Sequence, residues 1–327
     1  MMTSKVLDYL RERADKWITI EAIACGTGLV SGDIINAIDK LSQQGYMIDN
    51  SPSYGFRFSG VAGALNADLI EQGLLTKRVG SGVIVFDNTD STNNIAKYYA
   101  DDPDADGLAI FAEHQNAGKG RQDRNWCDIH GKSILCSILL RLPPDQQQVI
   151  NGQSLSLLAG VAVADAVRFC FDIDVRIKWP NDVMVNGKKL AGVMVQSVSC
   201  DDCLAYIIGI GINCQQGDDD FDDEVRDIAV SIRQLIKKNI DRVNLAQELL
   251  CSLDIWLGDI VDGRTEKLHN RWLSYCDDIN RRMTLVCDGH EFTGRIIDVS
   301  VSDGLIMQLD TGGVKAFNPD HSSVKKD

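Results

Sequence analysis

The sequence lacks several features that would narrow its class at once. No apolar run approaches the roughly 18 residues needed to cross a bilayer, and positions 1–15 are charged throughout. Neither a membrane span nor a secretory signal is therefore expected, and the expected location is cytoplasmic. A basic excess is also missing: 33 Lys and Arg stand against 47 Asp and Glu, for a net charge of −14. Most of the surface repels polyanions, so any nucleic-acid contact must come from a local patch. There is no internal repeat and no Gly-x-x-x-x-Gly-Lys-Ser/Thr phosphate loop. The pair Cys200 and Cys203 has no second pair or histidines at matching spacing, which excludes a zinc site and leaves a turn between two strands. No metal site is expected. The other cysteines are scattered, and Cys136, Cys170, Cys214 and Cys251 sit inside apolar runs, as thiols of a reducing compartment do.

What is present is ordinary for a globular protein, 44% hydrophobic and 24% charged, and 327 residues predict two or three domains. Val6, Leu7 and Leu10 line a first helix, and a second segment runs over 18–25 to the turn glycines Gly26 and Gly28. Ile34, Ile35, Ile38 and Leu41 recur at helical spacing over 31–44, with Gly45 placed as a C-cap. Residues 46–48 and 54–58 read as a hairpin wing. This helix-turn-helix pattern suggests a DNA reader with Ser31, Asn36 and Lys40 facing outward, yet its third helix sets Asp33 and Asp39 against Lys40 alone. A glycine-rich connector containing a helix at 66–71 follows. Strands and helices then alternate from Val83 to Leu257, predicting an α+β layer on a mixed sheet. Short strands with tight turns at 288–289 and 311–313 close the chain as a small β-barrel.

Four segments carry chemistry. In Gly118-Lys119-Gly120-Arg121, glycines allow backbone N–H groups to approach an anion that the cations neutralise. Lys178-Trp179-Pro180-Asn181-Asp182 leads by a hairpin to Lys189, presenting a carboxylate and an ammonium from its two limbs. Gly209 and Gly211 alternate in a buried strand and leave one face flat for a ligand, or for a close element contact. In Asp90-Ser91-Thr92-Asn93, the side chains either cap a helix or bond a polar ligand head.

These motifs, in this order and at these intervals, resemble the biotin–protein ligase family in its bifunctional form, along essentially the whole chain. The resemblance implies a winged helix-turn-helix at 1–62, a linker at 63–82, a catalytic α+β domain at 83–273 and an SH3-like barrel at 274–327. It implies ATP-dependent formation of biotinyl-5′-AMP and transfer of biotin to a lysine of a biotin carboxyl carrier protein. The resemblance further implies operator repression and adenylate-linked homodimerisation. Mg²⁺ enters with ATP, held chiefly by phosphate oxygens. By similarity, Ser91, Thr92, Asn93, Gln115, Lys119, Gly120, Arg121, Lys189, Gly209 and Gly211 bind biotin. Gly118, Lys119, Arg121, Trp126, Lys178, Asn181, Lys189 and Asn213 bind ATP or the adenylate. Lys189, Arg121 and Asp182 are the catalytic set, with Asp182 receiving or orienting the acceptor lysine's proton.

The sequence also departs from the family pattern. Gln122 and Asp123 stand where arginine and glycine are usual, predicting a stiffer, less cationic loop, and Asp128-Ile129-His130 replaces a Ser-Pro pair. Around Ala229 there is no tryptophan to stack on adenine. The acidic residues Asp218–Asp220 and Asp222–Glu224 are expected to form a solvated loop lip. Two other readings fit the same motifs: a biotin-sensing regulator with secondary ligase activity, and a lipoate-type ligase. A lipoate ligase would leave Ser91, Thr92 and Gln115 without the ureido partner they match.

Overall fold

Alternation of apolar and polar positions, switching between helical and strand periods, divides the chain into three packed units. The protein is described by a computed structural model covering residues 2–14, 16–43, 46–61, 64–121, 124–200, 203–319 and 321–325. The expected C-cap at Gly45 and the substitutions at Gln122 and Asp123 lie outside the described residues.

The first unit packs α1 (Met2–Arg11), α2 (Ile20–Thr27) and α3 (Ser31–Gln43) with the antiparallel hairpin β1 (Tyr46–Ser51) and β2 (Gly55–Val61). Thr19 caps α2 through its side chain, and Gly28 ends it in the left-handed region, as the sequence led one to expect. The inward face of α3 is Ile34, Ala37, Ile38 and Leu41. Ile35, assigned to that face from the sequence, is instead 45% exposed. The connector holds α4 (Ala67–Gln72), capped by Asn66.

The middle unit is built on β3 (Val83–Phe86), β4 (Ala109–Ala112), β5 (Ser133–Leu142), β6 (Arg176–Lys178), β7 (Asp182–Val185), β8 (Lys188–Ser199) and β9 (Leu204–Asn213). They form one mixed sheet, ordered β3-β4-β5-β9-β8-β7-β6, in which only β3 and β4 pair in parallel. Between the strands lie α5 (Thr92–Tyr98) and α6 (Gly152–Phe171); α7 (Asp223–Arg226), α8 (Ile232–Ile236), α9 (Arg242–Val261) and α10 (Thr265–Tyr275) follow them. By length and composition α6 is apolar enough to cross a membrane, but most of it is buried in the core. A backbone hydrogen bond from Cys200 to Cys203 closes the turn from β8 to β9.

Strand alternation gives the sheet two different faces. Ile208, Ile210 and Ile212 of β9 join the large core with α6 and α9. Ala205 and Ile207 face the other way, in a smaller cluster with Ala96 and Ala100. On that second face the apolar series stops at Gly209 and Gly211, and a cavity begins there.

Two elements differ from the sequence reading. The helix expected over 229–238 is only α8, because the preceding backbone pairs with β8: Lys189 N–H donates to Ile228 O (2.7 Å) and Val230 N–H to Lys189 O (2.9 Å). The helix α10 was not anticipated. It buries Leu268, Trp272 and Tyr275, and Trp272 packs edge-on against Trp179 at 6.4 Å.

The last unit comprises β10 (Arg282–Cys287), β11 (His290–Ser300), β12 (Gly304–Leu309), β13 (Val314–Phe317) and β14 (Ser322–Val324). The strands form an antiparallel sheet ordered β13-β12-β11-β10-β14, so the last strand crosses to the edge beside β10.

Candidate active site

The cavity on the second sheet face has a volume of about 520 Å³. At one end Ser91, at the N-terminus of α5, makes no capping hydrogen bond; Asp90 takes up the local amide instead, accepting from Ser91 N–H (2.6 Å) and from the Asn94 side chain (2.7 Å). These bonds hold the Asp90 carboxyl below its ordinary pKa, the one from Asn94 most strongly. The Ser91 hydroxyl is thus spared from capping. Beside it, Gln115 Oε1 accepts from Thr92 N–H (2.7 Å) and faces Thr92 Oγ1 at 3.1 Å. Gln115 is itself anchored from below: its N–H donates to Asp128 Oδ1, and His114 Nδ1 lies 2.8 Å from Asp128 Oδ2. Burial raises the Asp128 carboxyl pKa, and His114 opposes that rise. Asp128, marked as a departure in the sequence, therefore supports the strand end carrying Gln115.

The two strand glycines line the cavity, and each also lies close against a side chain of this chain. A Cβ at Gly209 would lie 2.4 Å from Asn93 Oδ1, and one at Gly211 would lie 2.4 Å from Trp126 Cε2. Glycine opens the space, and Asn93 and Trp126 fill it. The Trp126 ring lies 5.5 Å from Lys189 Nζ, and its buried Nε1–H has no protein partner.

Residues 118–120 pair with residues 124–126. Gly120 N–H donates to Arg124 O (2.7 Å) and Trp126 N–H to Gly118 O (2.9 Å). The Gly120 amide, expected to face an anion, is thus already engaged. Gly118 lies close under the Trp126 carbonyl and does not line the cavity. Asn213 does not line it either: it is buried at the end of β9, where its Oδ1 accepts from Gln216. The other residues singled out in the middle unit do line it: Ser91, Thr92, Asn93, Gln115, Lys119, Gly120, Arg121, Trp126, Lys178, Asn181, Asp182, Lys189, Gly209 and Gly211.

Charge separates this cavity from the rest of the surface. Among the described residues it is lined by Lys119, Arg121, Arg124, Lys178, Lys189 and Lys325 against the single carboxylate of Asp182. Lys189 Nζ lies 2.6 Å from Asp182 Oδ1. Arg121 donates to Asn181 Oδ1 (3.4 Å), to Ser322 O (3.2 Å) and to Pro319 O, joining the loop to the last unit. No sequence signal points to the part played by that unit, whose Ser323, Val324 and Lys325 close one wall. Ser137 was missed as well; it bonds Thr92 and Asn93 from the strand behind them.

The acidic stretch after β9 is not simply a solvated lip. Asp220 accepts from Gly217 N–H and from Lys132 Nζ (both 2.6 Å), and these bonds lower its pKa, the backbone one most. Asp218 accepts from Gln234, while Asp222, Asp223 and Glu224 are exposed. No described group of three or more His, Cys, Asp or Glu side chains is arranged to hold a metal.

Residues 85–213 match the Biotin/lipoate A/B protein ligase family. The chain is 30% identical over 316 residues to the bifunctional ligase/repressor BirA of Bacillus spizizenii, covering 96% of each. It is 32% identical over 199 residues to the biotin–[acetyl-CoA-carboxylase] ligase of Mycobacterium tuberculosis, covering 58% of this chain and 71% of that one. Its fold is similar to that of the Aquifex aeolicus biotin protein ligase in complex with biotin and ATP, with a TM-score of 0.64 and 25% identity over 75% of this chain and 99% of the other. With the cavity's geometry, a likeness that runs almost end to end places the chain in the biotin–protein ligase family.

Proposed function

We propose that the protein activates biotin with ATP to biotinyl-5′-AMP and transfers the biotinyl group to a lysine of a carrier protein. The observation carrying this reading is one cavity with a polar head pocket of Ser91, Thr92 and Gln115 at one end and a cluster of cations at the other. Biotin is a polar ring on an apolar body ending in a carboxylate, and burying it calls for matched groups at each end. The carboxylate oxygen attacks the α-phosphorus and pyrophosphate leaves. Two anions meet in this step, and Lys119, Arg121 and Lys189 screen them, a matter of positioning and charge stabilisation. Magnesium enters as part of the MgATP substrate on phosphate oxygens, consistent with a cavity whose one carboxylate is tied to Lys189. The acceptor amine then attacks the acyl carbon and AMP departs. Asp182, released when Lys189 turns to the phosphate, accepts the amine's proton. Lys178 and Asn181 flank the nucleotide end, and Trp126 covers the adenylate. Incubating the chain with ATP, labelled biotin and a biotin-acceptor domain tests the reading. It predicts label on one acceptor lysine, and an unlabelled acceptor defeats it. A lipoate-type ligase would label with lipoate instead.

A second reading concerns residues 1–62 as a winged helix-turn-helix bearing operator-repressor activity, with 274–327 as an SH3-like barrel. Its support is the outward face of α3, where Ser31, Asn36 and Lys40 are exposed, together with the ligase/repressor names of the relatives. The cationic footprint is thin, because Arg11 pairs with Asp241, Arg13 with Glu12 and Arg57 with Asp49. A single unit binds DNA weakly, so occupancy of a two-fold operator depends on adenylate-linked dimerisation. A gel shift on the chain's own biotin-gene promoter, with and without biotin and ATP, tests it. Absence of a shift at low salt would leave this unit a cap without DNA affinity.

A further inference from the structure

We propose that Asp128 and His114 form a positioning pair behind the head pocket: one buried carboxylate, bonded at both oxygens, holds Gln115 in place for the ligand and so sets biotin affinity. The proposal rests on the biotin reading above, which makes Gln115 a contact of the ligand head.

The Asp128 side chain is 0% exposed. A carboxylate in such a place is costly unless it is paired and hydrogen-bonded. Two donors meet it, one at each oxygen: His114 Nδ1 lies 2.8 Å from Oδ2, and the Gln115 N–H donates to Oδ1 at 3.3 Å. Gln115 forms a parallel bridge with Thr89, in which its neighbours make the bonds: Thr89 N–H donates to His114 O (3.1 Å) and Asn116 N–H to Thr89 O (2.9 Å). The N–H of Gln115 itself points to the opposite edge, where Asp128 receives it. The backbone of Gln115 is thus held along both edges, while its side chain lines the cavity and accepts from Thr92 N–H.

An ionised carboxylate accepts at both oxygens, whereas a neutral carboxyl or an amide has one good acceptor and one donor. Ionised Asp128 therefore satisfies both of its partners, and His114 then carries a proton on Nδ1. A protonated acid, or an amide in its place, turns one position from acceptor to donor. That donor fits His114 only when the imidazole is neutral and Nδ1 is bare, because a protonated imidazole has an N–H on each nitrogen. Among the described residues, the titratable groups acting on Asp128 are His114 and His130, and the neighbouring Cys127 thiol feels its charge. Burial raises the Asp128 carboxyl pKa, and the bond and charge of His114 oppose that rise more than His130 does. Biotin affinity is accordingly lost as pH falls through the Asp128 value, and His114 delays the loss.

The test measures biotin affinity of the full chain by calorimetry at about pH 8 and about pH 5.5, on either side of an ordinary imidazole's titration. Wild type is titrated beside each variant, so ionisation of the ligand cancels. For Asp128→Asn, affinity at the higher pH should stay within about threefold of wild type, because the amide donates to a neutral His114. At the lower pH it should fall about tenfold below wild type, the worth of one hydrogen bond. Adding His114→Gln removes the imidazole, so the double variant should keep nearly one ratio to wild type at both pH values. The KM for ATP and kcat at saturating biotin should stay within about twofold throughout, where a merely structural lesion raises both KM values. His114→Gln alone should move the acid loss of affinity to higher pH, since no cation then stands beside the carboxylate; this variant also serves if Asp128→Asn does not fold. The same ratio to wild type at both pH values for Asp128→Asn, or an equal rise in both KM values, overturns this proposal alone. If wild type binds no biotin, the ligase reading fails and the proposal falls with it.

Discussion

Lys189 Nζ and Asp182 Oδ1 are 2.6 Å apart, reaching toward each other from adjacent strands of one hairpin. The carboxylate holds the ammonium at the cavity wall. Lys189→Ala should therefore slow adenylate formation about 100-fold or more, while biotin affinity changes only a few-fold, because the lost charge acts on the transition state. Single-turnover rates of adenylate formation beside biotin titrations check this, and equal losses in both would refute the role.

Asp182→Asn keeps the hairpin's shape and removes the proton acceptor. Transfer to the acceptor lysine should drop about 100-fold, with adenylate formation much less affected, as expected for loss of general-base assistance. Supplying preformed adenylate isolates the second step. If both steps fall together, Asp182 serves only to place Lys189.

Gly211→Ala puts a methyl group where the Trp126 indole lies. The ring must move, so its fluorescence should shift and adenylate affinity should weaken about tenfold, with thermal stability little altered. Unchanged fluorescence would contradict the packing described for this ring.

Glu113 and Arg242 form a buried pair at 2.7 Å, 1% and 6% exposed, and Leu65 N–H also bonds to Glu113. Arg242→Ala leaves a carboxylate buried without its partner, and should cost about 3–5 kcal/mol in denaturant unfolding. A loss below about 1 kcal/mol would mean that the pair is hydrated.

Asp220 offers a dependence on pH. Its folded-state pKa lies below the ordinary value of 3.8, so it stabilises the fold above that value, and its contribution disappears as pH falls through the folded value. Asp220→Asn should thus destabilise by about 1 kcal/mol near neutrality, within the range for a partly exposed charged contact. In acid below the ordinary value, the two proteins should converge. A difference that persists there would point to packing.

Much of this architecture was legible beforehand because its signals are local. The strand Val83–Phe86 and the long helix ending at Phe171 follow from periodicity, and the Gly-Lys-Gly-Arg loop and the Trp-Pro-Asn-Asp hairpin do meet at one cavity. The failures arise where a residue's partner is distant in sequence. A glycine in a strand announces that something comes close but not what: Gly209 and Gly211 line the cavity and also make room for Asn93 and Trp126. Asn213 follows the glycine motif directly, but its place at the strand end turns it toward Gln216. Ser137 sits in a run that reads simply as a buried strand, and only the register across β5 and β9 reveals its neighbours.

A parallel pairing fixes Lys189 to residues 228–230. Both the amide and the carbonyl of Lys189 are hydrogen-bonded to that segment, which begins in the acidic turn anchored by Lys132 and Asp220. Any displacement of the segment must pull on the backbone of that cavity-lining lysine. The placement of that segment and of the Lys189 backbone are therefore coupled through two hydrogen bonds.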